Sequence, residues 1–352
     1  MSRDETPISE AIEVSKSYSS RPGLQAASSK KRLVQAVDRA SLQIKPGEAV
    51  GLVGESGCGK STLGRLLLRL ETPTDGTIRF SGEDITRIKG GRLRRKRRQM
   101  QMIFQDPASS LNPRFTVEST LKEAITAHKR RLKGRALKAH IAALLNMVGL
   151  PVSALGRHPH EFSGGEKQRI SIARALAVEP RFLIADEPVT ALDLASQGQI
   201  LSLLETVRKE LNVAFLFIAH DMETVRRVCS RTAVMYLGRI VESGPTETLF
   251  REPSHPYTRA LMLSQLSKDP DLRTELHLLP GEPPSPLDPP AGCHFHPRCP
   301  YSDIQCKTLI PASRPIGDQH MVQCHFNFDD GRKSGPQGIV EAASAAGKKK
   351  RP

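Results

Sequence analysis

Residues 54–61 read Gly54-Glu55-Ser56-Gly57-Cys58-Gly59-Lys60-Ser61 and match the pattern G-x-x-x-x-G-K-[ST] at every fixed position. Ala49 to Val53 before it reads as a short buried strand, and Thr62 to Leu70 after it as a Leu-rich helix. A strand, a Gly-rich turn and a helix in this order restrict the chain to an α/β layout with a phosphate-binding loop. Glycines allow backbone N–H groups to close around phosphate oxygens where a Cβ would obstruct. The helix start adds unpaired N–H groups and a partial positive charge. In such a loop Lys60 supplies a point charge to β- and γ-phosphates, and Ser61 a hydroxyl ligand for Mg²⁺.

Three further stretches carry chemistry of the same kind. Arg181 to Pro188 holds an unbroken apolar run, Phe182 to Ala185, ending in Asp186-Glu187, as expected of a strand buried on both faces of a parallel sheet. Ligands gather at the carboxyl ends of such strands, which places Asp186 to hold Mg²⁺ and Glu187 to take a proton from an attacking water. Val213 to Ala219 is a second buried strand, and His220 falls at the equivalent end. Phe162-Ser163-Gly164-Gly165 precedes a helix running to Ala177. It is a second helix-start anion site, although Ser-Gly-Gly is also an ordinary N-cap.

The rest of the chain fills in around these. Residues 11–20 alternate and predict an edge-type strand, Gln35 to Ile44 a second strand, and Gly76 to Ile85 a third. Residues 21–31 read as a loop. Gln101 to Phe104 is an apolar strand stopped by Pro107, and helical spacing then runs over Val117 to Arg130 and Ala136 to Leu150. Residues 232–236 and 239–242 form a hairpin-like pair. The basic run Gly91 to Arg98 reads first as a solvated helical face. The net charge of +15 admits nucleic acid, acidic headgroups or ATP as partners. Only 4% of residues are aromatic and none is Trp, which disfavours base stacking on an open platform. No apolar run reaches the roughly 18 to 20 residues of a spanning helix, and Met1 to Pro7 lacks a signal-peptide layout. These features predict a soluble, cytosolic globular protein.

After a proline-rich connector at 280–290 come Cys293, Cys299, Cys306 and Cys324, spaced C-x₅-C-x₆-C-x₁₇-C. Four thiolates suit an iron–sulfur cluster or zinc, and His294, His296 and His325 keep zinc open. A cluster would fold a segment of low apolar content. Cys58 and Cys229 read as non-ligands. Beyond about residue 328 the Gly-, Ala- and Lys-rich composition predicts disorder.

In order along the chain, Tyr18, residues 54–61, Gln105, Ser163-Gly164-Gly165, Asp186-Glu187, Ala191-Leu192-Asp193 and His220 resemble the markers of the ATP-binding subunit of an ABC transporter. The resemblance spans roughly residues 11–326. It implies a P-loop NTPase core of α/β class with an antiparallel β subdomain, a helical insertion and a small Cys-containing C-terminal extension. The implied divisions are 1–105 for the first part of the nucleotide-binding domain, 106–162 for the insertion, 163–254 for the rest of the core, 255–327 for the extension and 328–352 for a disordered basic tail. It implies that Tyr18 stacks on adenine, that Gly54, Glu55, Ser56, Gly57, Cys58, Gly59, Lys60, Ser61 and Thr62 bind ATP, and that Ser61, Gln105 and Asp186 serve Mg²⁺. Glu187 would be the general base, His220 a γ-phosphate partner, and Gln105 a contact to Mg²⁺ and the attacking water. Two subunits would close head to tail, each ATP lying between one chain's phosphate loop and the other's Ser163-Gly164-Gly165, with Asp193 near the partner's site. Phe162 and Glu166 depart from the usual Leu and Gln of that signature, and Glu166 near a phosphate would be mildly repulsive.

Ser109-Ser110-Leu111-Asn112-Pro113-Arg114 and His255-Pro256-Tyr257-Thr258-Arg259-Ala260-Leu261 resemble the dipeptide/oligopeptide importer branch, specifically the second-encoded of its two ATPases. That branch implies a non-identical ATPase partner, two transmembrane permeases docked on the insertion, an extracytoplasmic substrate-binding protein acting through them, and a [4Fe-4S] site on Cys293, Cys299, Cys306 and Cys324. The chain would then work at the cytoplasmic face of the cell membrane. Nickel and glutathione importers use similar subunits. A soluble ABC-type ATPase on nucleic acid would use the positive charge, but such chains carry two cassettes and only one phosphate loop is present. A purely metal-binding module is disfavoured by the intact Glu187.

Overall fold

The computed structural model describes residues 6–20, 32–127, 132–266, 281–329, 332–334 and 340–341. The loop expected at 21–31 lies outside the described residues. Alternating sequence at the N-terminus gives β1 (Ser9–Ser20) and β2 (Arg32–Ile44), and the apolar run before the Gly-rich turn gives β3 (Ala49–Val53). Helix α1 (Lys60–Leu67) leaves the turn, followed by β4 (Asp75–Phe80) and β5 (Glu83–Asp84). The segment expected as one strand over 76–85 is thus divided by a turn in which Ser81 and Gly82 adopt positive φ.

The basic run forms α2 (Gly90–Arg98), which buries none of its residues and places four basic side chains in its last turn, where they favour the negative end of the helix. Strand β6 (Met100–Ile103) leads into a helical stretch made of α3 (Pro107–Ser110), α4 (Val117–Ala127) and α5 (Gly134–Met147). Next come α6 (Gly164–Leu176), β7 (Phe182–Asp186), α7 (Leu194–Leu211), β8 (Ala214–Ala219) and α8 (Met222–Val228). Ser163, Asp193 and Asp221 cap α6, α7 and α8 by accepting N–H bonds from Glu166, Ser196 and Thr224. The hairpin β9 (Arg231–Tyr236) and β10 (Arg239–Pro245) closes the core, followed by α9 (Thr246–Arg251) and α10 (Pro256–Leu266). The C-terminal part adds α11 (Ile304–Thr308), β11 (Arg314–Gly317) and β12 (His320–Val322). Short strands β13 (Asn327–Asp329), β14 (Arg332–Ser334) and β15 (Val340–Glu341) pair antiparallel, within the stretch expected to be disordered. The remainder of 328–352 lies outside the described residues.

The main sheet has the order β11-β12-β10-β9-β3-β8-β7-β6. Its pairs from β6 to β9 are parallel, and those joining β9, β10, β12 and β11 are antiparallel. Every residue of β3, β7 and β8 is buried, as strands covered on both faces require. Strand periodicity sorts their side chains onto two sides. Val53, Leu183 and Phe217 face a core shared with the helical insertion, whereas Leu52, Ile184 and Leu216 face one shared with α1, β1, β2 and β4. The second sheet, β2-β1-β4-β5, is antiparallel. Strand β1 therefore lies inside that sheet, not at its edge as its alternation predicts. Its second neighbour, β4, comes from more than fifty residues downstream, and alternation alone cannot count neighbours.

Among the described residues no helix is long and apolar enough to cross a membrane.

Candidate functional site

Strands β7, β8 and β3 are adjacent and parallel, so their carboxyl ends share one rim. This geometry brings residues far apart in sequence to one place. The turn after β3 is bent by Gly54, Gly57 and Gly59, all at positive φ. At Gly59 a Cβ would sit 2.1 Å from the Ala36 carbonyl oxygen, so no larger residue fits. Lys60 is buried, and its Nζ donates to the carbonyls of Gly54 at 2.8 Å and Glu55 at 2.9 Å. The ammonium is thus tethered beneath the loop whose N–H groups it accompanies. Cys58 is packed behind the loop, where burial raises its thiol pKa; it has a packing role.

Ser61 Oγ donates to Asp186 Oδ1 at 2.9 Å. Asp186 is nearly enclosed, and burial pushes its carboxyl upward against the lowering effect of the Ser61 hydroxyl and of Arg65 and Lys60. A hydroxyl and a carboxylate oxygen side by side suit a hard oxygen-seeking cation such as Mg²⁺. Glu187 follows with φ +46, the left-handed region that a non-glycine residue seldom enters. Its N–H bonds the Ile218 carbonyl of β8 at 2.9 Å, which holds it there. Its Oε2 accepts from Gln105 Nε2 at 2.8 Å and from Thr190 Oγ1 at 3.3 Å, and lies 3.9 Å from His220 Nδ1. Gln105, Asp186, Glu187, His220 and the phosphate loop are all gathered here, as the sequence predicts.

Tyr18 is exposed near the end of β1, with Lys16 Nζ 5.0 Å from its ring centroid and its hydroxyl donating to Glu71. Burial, then the Glu71 bond, raises its phenol pKa, with the Thr62 side chain opposing the shift.

Ser163, Gly164 and Gly165 are not joined to that loop. Among the described residues no hydrogen bond links them to residues 54–62; Ser163 caps α6 and is exposed. Glu166 completes a capping box, its Oε2 accepting from Ser163 N at 2.8 Å. That backbone bond holds the Glu166 carboxyl below its ordinary pKa. Glu166 is thus a helix cap first, and its charge is partly spent on an N–H. Phe162 is buried beneath the Arg157 guanidinium, 4.1 Å from its ring centroid. Asp193 is likewise occupied as an exposed N-cap.

The cysteine expectation requires correction. Cys293, Cys299, Cys306 and Cys324 all border one small pocket with Phe295 and Phe326. Among the described residues, however, no group of three or more His, Cys, Asp or Glu side chains is placed to hold a metal ion, so neither the [4Fe-4S] cluster nor zinc is carried forward. Burial favours the neutral thiol, raising Cys299 to about 12 and Cys324 to about 11. The segment is organised by other means. Strands β12 and β11 extend the main sheet from β10, and Phe295 packs edge-on to Tyr236 with centroids 5.2 Å apart.

Sequence reasoning missed how that extension reaches the loop. Tyr257 Oη accepts from the Glu55 N–H at 2.8 Å, and Arg298 forms a two-pronged ion pair with the Glu55 carboxylate at 2.8 and 3.1 Å. Glu55 is therefore committed to protein partners through both its N–H and its side chain. Tyr257 stood within a recognised motif, but nothing in the sequence marks Arg298.

A phosphate loop, a carboxylate pair and a histidine on one rim of a mostly parallel sheet, beside an antiparallel sheet and a helical insertion, define an ATP-binding cassette ATPase. The family model described as ABC transporter matches residues 37–190, and that described as oligopeptide/dipeptide transporter, C-terminal region, matches residues 241–306. The oligopeptide transport ATP-binding protein AppF of Bacillus subtilis (strain 168) is 47% identical over 296 residues, covering 83% of this chain and 90% of the relative. An ATP-binding cassette solved as a dimer in a post-hydrolysis state with ADP and Pi superposes with a TM-score of 0.59 at 27% identity, over 68% of this chain and 98% of that one. A cassette from Clostridium perfringens, part of an ABC transporter complex, gives a TM-score of 0.59 at 25% identity over 75% and 96%. The chain belongs to the ATP-binding subunits of ABC transporters, in the peptide/oligopeptide importer branch, and its activity is that of a transport ATPase.

Proposed function

We propose that this chain powers uptake of di- and oligopeptides by binding ATP between paired ATPase subunits and hydrolysing it at the rim of β3, β7 and β8. The observation that carries this reading is the convergence of Gln105, His220 and Asp186 on Glu187 and on the phosphate loop. Supporting the transport role are the importer-type C-terminal region and the likeness to an oligopeptide transport protein.

In this reading the backbone of residues 54–62 and the Lys60 ammonium bind the phosphates, and Tyr18 receives the adenine. Ser61 and Asp186 would hold Mg²⁺, with Gln105 nearby, and the ion would offset phosphate charge. Glu187 accepts the proton of the attacking water, a role that commonly contributes about 10² to 10⁴ in rate. Gln105 orients Glu187 and reports its state to the helical insertion at 106–162. His220 faces the γ-phosphate.

The exposed cap at Ser163-Gly164-Gly165 has unspent donors at a helix start. It would contact the nucleotide on a second subunit, with Asp193 beside it. Two such contacts make ATP the bond between subunits and hydrolysis the release. The partners that complete the machine are a second ATPase of related sequence, two permeases that receive the insertion, and a substrate-binding protein on the far side. The site of action is the cytoplasmic face of the membrane.

The test is Glu187→Gln in the full chain. ATP binding should persist while hydrolysis falls by about 10² or more, and an ATP-dependent dimer should accumulate in size-exclusion chromatography. Hydrolysis at the native rate would overturn the assignment.

A further inference from the structure

We propose that Arg298 and Tyr257, from the C-terminal extension, are positioning residues for the phosphate loop: they hold Glu55 and, through it, set the place of Lys60. The proposal rests on the reading of residues 54–61 as the ATP phosphate site.

Glu55 is the second residue of the loop, and each of its polar groups is engaged. Its N–H donates to Tyr257 Oη at 2.8 Å. Its carbonyl accepts from Lys60 Nζ at 2.9 Å and from the Cys58 N–H at 3.3 Å. Its carboxylate pairs with both terminal nitrogens of Arg298, Nη1 to Oε2 at 2.8 Å and Nη2 to Oε1 at 3.1 Å. The Tyr257 and Arg298 anchors come from more than two hundred residues downstream, and Lys60 is the side chain that would meet the phosphates. A planar fork on a carboxylate fixes orientation as well as distance.

The anchors themselves are rigid. Arg298 is 6% exposed, and Tyr236, Tyr257 and Phe295 are almost fully enclosed. The Tyr236 and Tyr257 rings lie 4.7 Å apart, and Phe295 packs against both. The Arg298 guanidinium lies 5.9 Å from the Tyr236 ring centroid. A second route runs beside the first. His294 Nδ1 bonds the Leu237 carbonyl at 3.1 Å, and the next residue, Gly238, donates its N–H to the Cys58 carbonyl of the loop at 2.8 Å. Without the Arg298 fork the Glu55 carboxylate would be left beside the loop without its countercharge, where it opposes an incoming phosphate. Loop geometry and loop charge therefore both depend on the extension.

The experiment uses the purified full chain and its Arg298→Ala, Arg298→Lys, Tyr257→Phe and Lys60→Ala variants. ATP affinity is measured by titration calorimetry, and KM and kcat by phosphate release. Arg298→Ala should raise KM and Kd for ATP by about tenfold or more with kcat changed by less than about threefold, the mark of lost ground-state binding. Arg298→Lys should recover part of the affinity, and Arg298→Ala combined with Glu55→Gln should bind ATP better than Arg298→Ala alone, because the unpaired charge is removed.

A merely structural role would lower the active fraction and hence kcat, leaving KM unchanged; that result overturns the proposal. Should Arg298→Ala fail to fold, Arg298→Lys and Tyr257→Phe carry the same test, and native KM in both overturns it. Lys60→Ala separates the two readings. If it abolishes ATP binding while the Arg298 and Tyr257 variants bind normally, the positioning role alone falls. If Lys60→Ala binds ATP normally, the phosphate-loop assignment falls and the positioning role with it.

Discussion

Gln105 Nε2 donates a 2.8 Å hydrogen bond to Glu187 Oε2, joining the start of the helical insertion to the end of β7. Eighty-two positions separate these residues in sequence, and β6 pairing in parallel with β7 brings them side by side. The bond gives Glu187 an orientation and ties the insertion to the site. Gln105→Ala should therefore keep ATP affinity while slowing hydrolysis by about ten- to hundredfold, the scale on which a displaced catalytic group acts. Steady-state phosphate release with parallel calorimetry would check this. An unchanged kcat would show that Glu187 needs no support from Gln105.

Asp186 and Ser61 make the second testable pair. Their 2.9 Å bond places two oxygen ligands together, and burial raises the Asp186 carboxyl in the absence of a cation. Asp186→Asn keeps the shape and removes the charge. Mg²⁺-dependent hydrolysis should drop by about a hundredfold or more, in line with the several kcal/mol a metal contributes to phosphoryl transfer. ATP binding measured in EDTA should change little. Equal loss with and without Mg²⁺ would indicate a folding defect instead.

Glu166 and Ser163 cap α6 reciprocally. Glu166→Ala should cost about 0.5–1 kcal/mol in urea unfolding, the range of a lost helix cap. Glu166→Gln should cost less, because its amide oxygen can still accept the Ser163 N–H. Identical unfolding of all three proteins would mean that the cap contributes nothing measurable.

His255 sets a pH dependence. It is fully buried, accepts the Tyr257 N–H at Nδ1 over 3.1 Å, and its pKa is lowered by burial to about 4, with Glu242 opposing the shift. His320 bonds the same Glu242 at 2.8 Å, and His296, His325, Cys293, Cys299, Cys306 and Cys324 line one pocket with His255. The unfolded chain, with a histidine pKa of about 6.5, takes up the proton first. Stability should hence be full above about pH 6.5 and decline as pH falls towards about 4, by about 1.4 kcal/mol for each unit separating the two pKa values. Urea unfolding at pH 7 and pH 5 should show this loss, and His255→Gln should show a shallower one. Parallel slopes in the two proteins would place the titration elsewhere.

Much of the site could be read in advance because its markers are local. Lys60 and Ser61 stand at fixed intervals from Gly54, and Asp186-Glu187 ends an apolar run, so short-range pattern sufficed. The extension was harder. Its low apolar content suggested a metal-organised segment, because sequence does not reveal that β12 pairs with β10 or that Phe295 packs on Tyr236. Four cysteines around one pocket look alike in sequence whether burial leaves them as thiols or a metal draws them into thiolates. The antiparallel strands β13 to β15 were hidden by a composition rich in charge and glycine.

The sequence alone determined the α/β class, the buried strands β3, β7 and β8, and the identity of the groups at their ends, because periodicity and motif spacing are properties of neighbouring residues. Only the tertiary structure decided that β1 is an interior strand, that Glu166 is a helix cap, and that Arg298 and Tyr257 grip Glu55. Those outcomes depend on which distant surfaces bury each other, and burial is a property of the assembled fold that no local window contains.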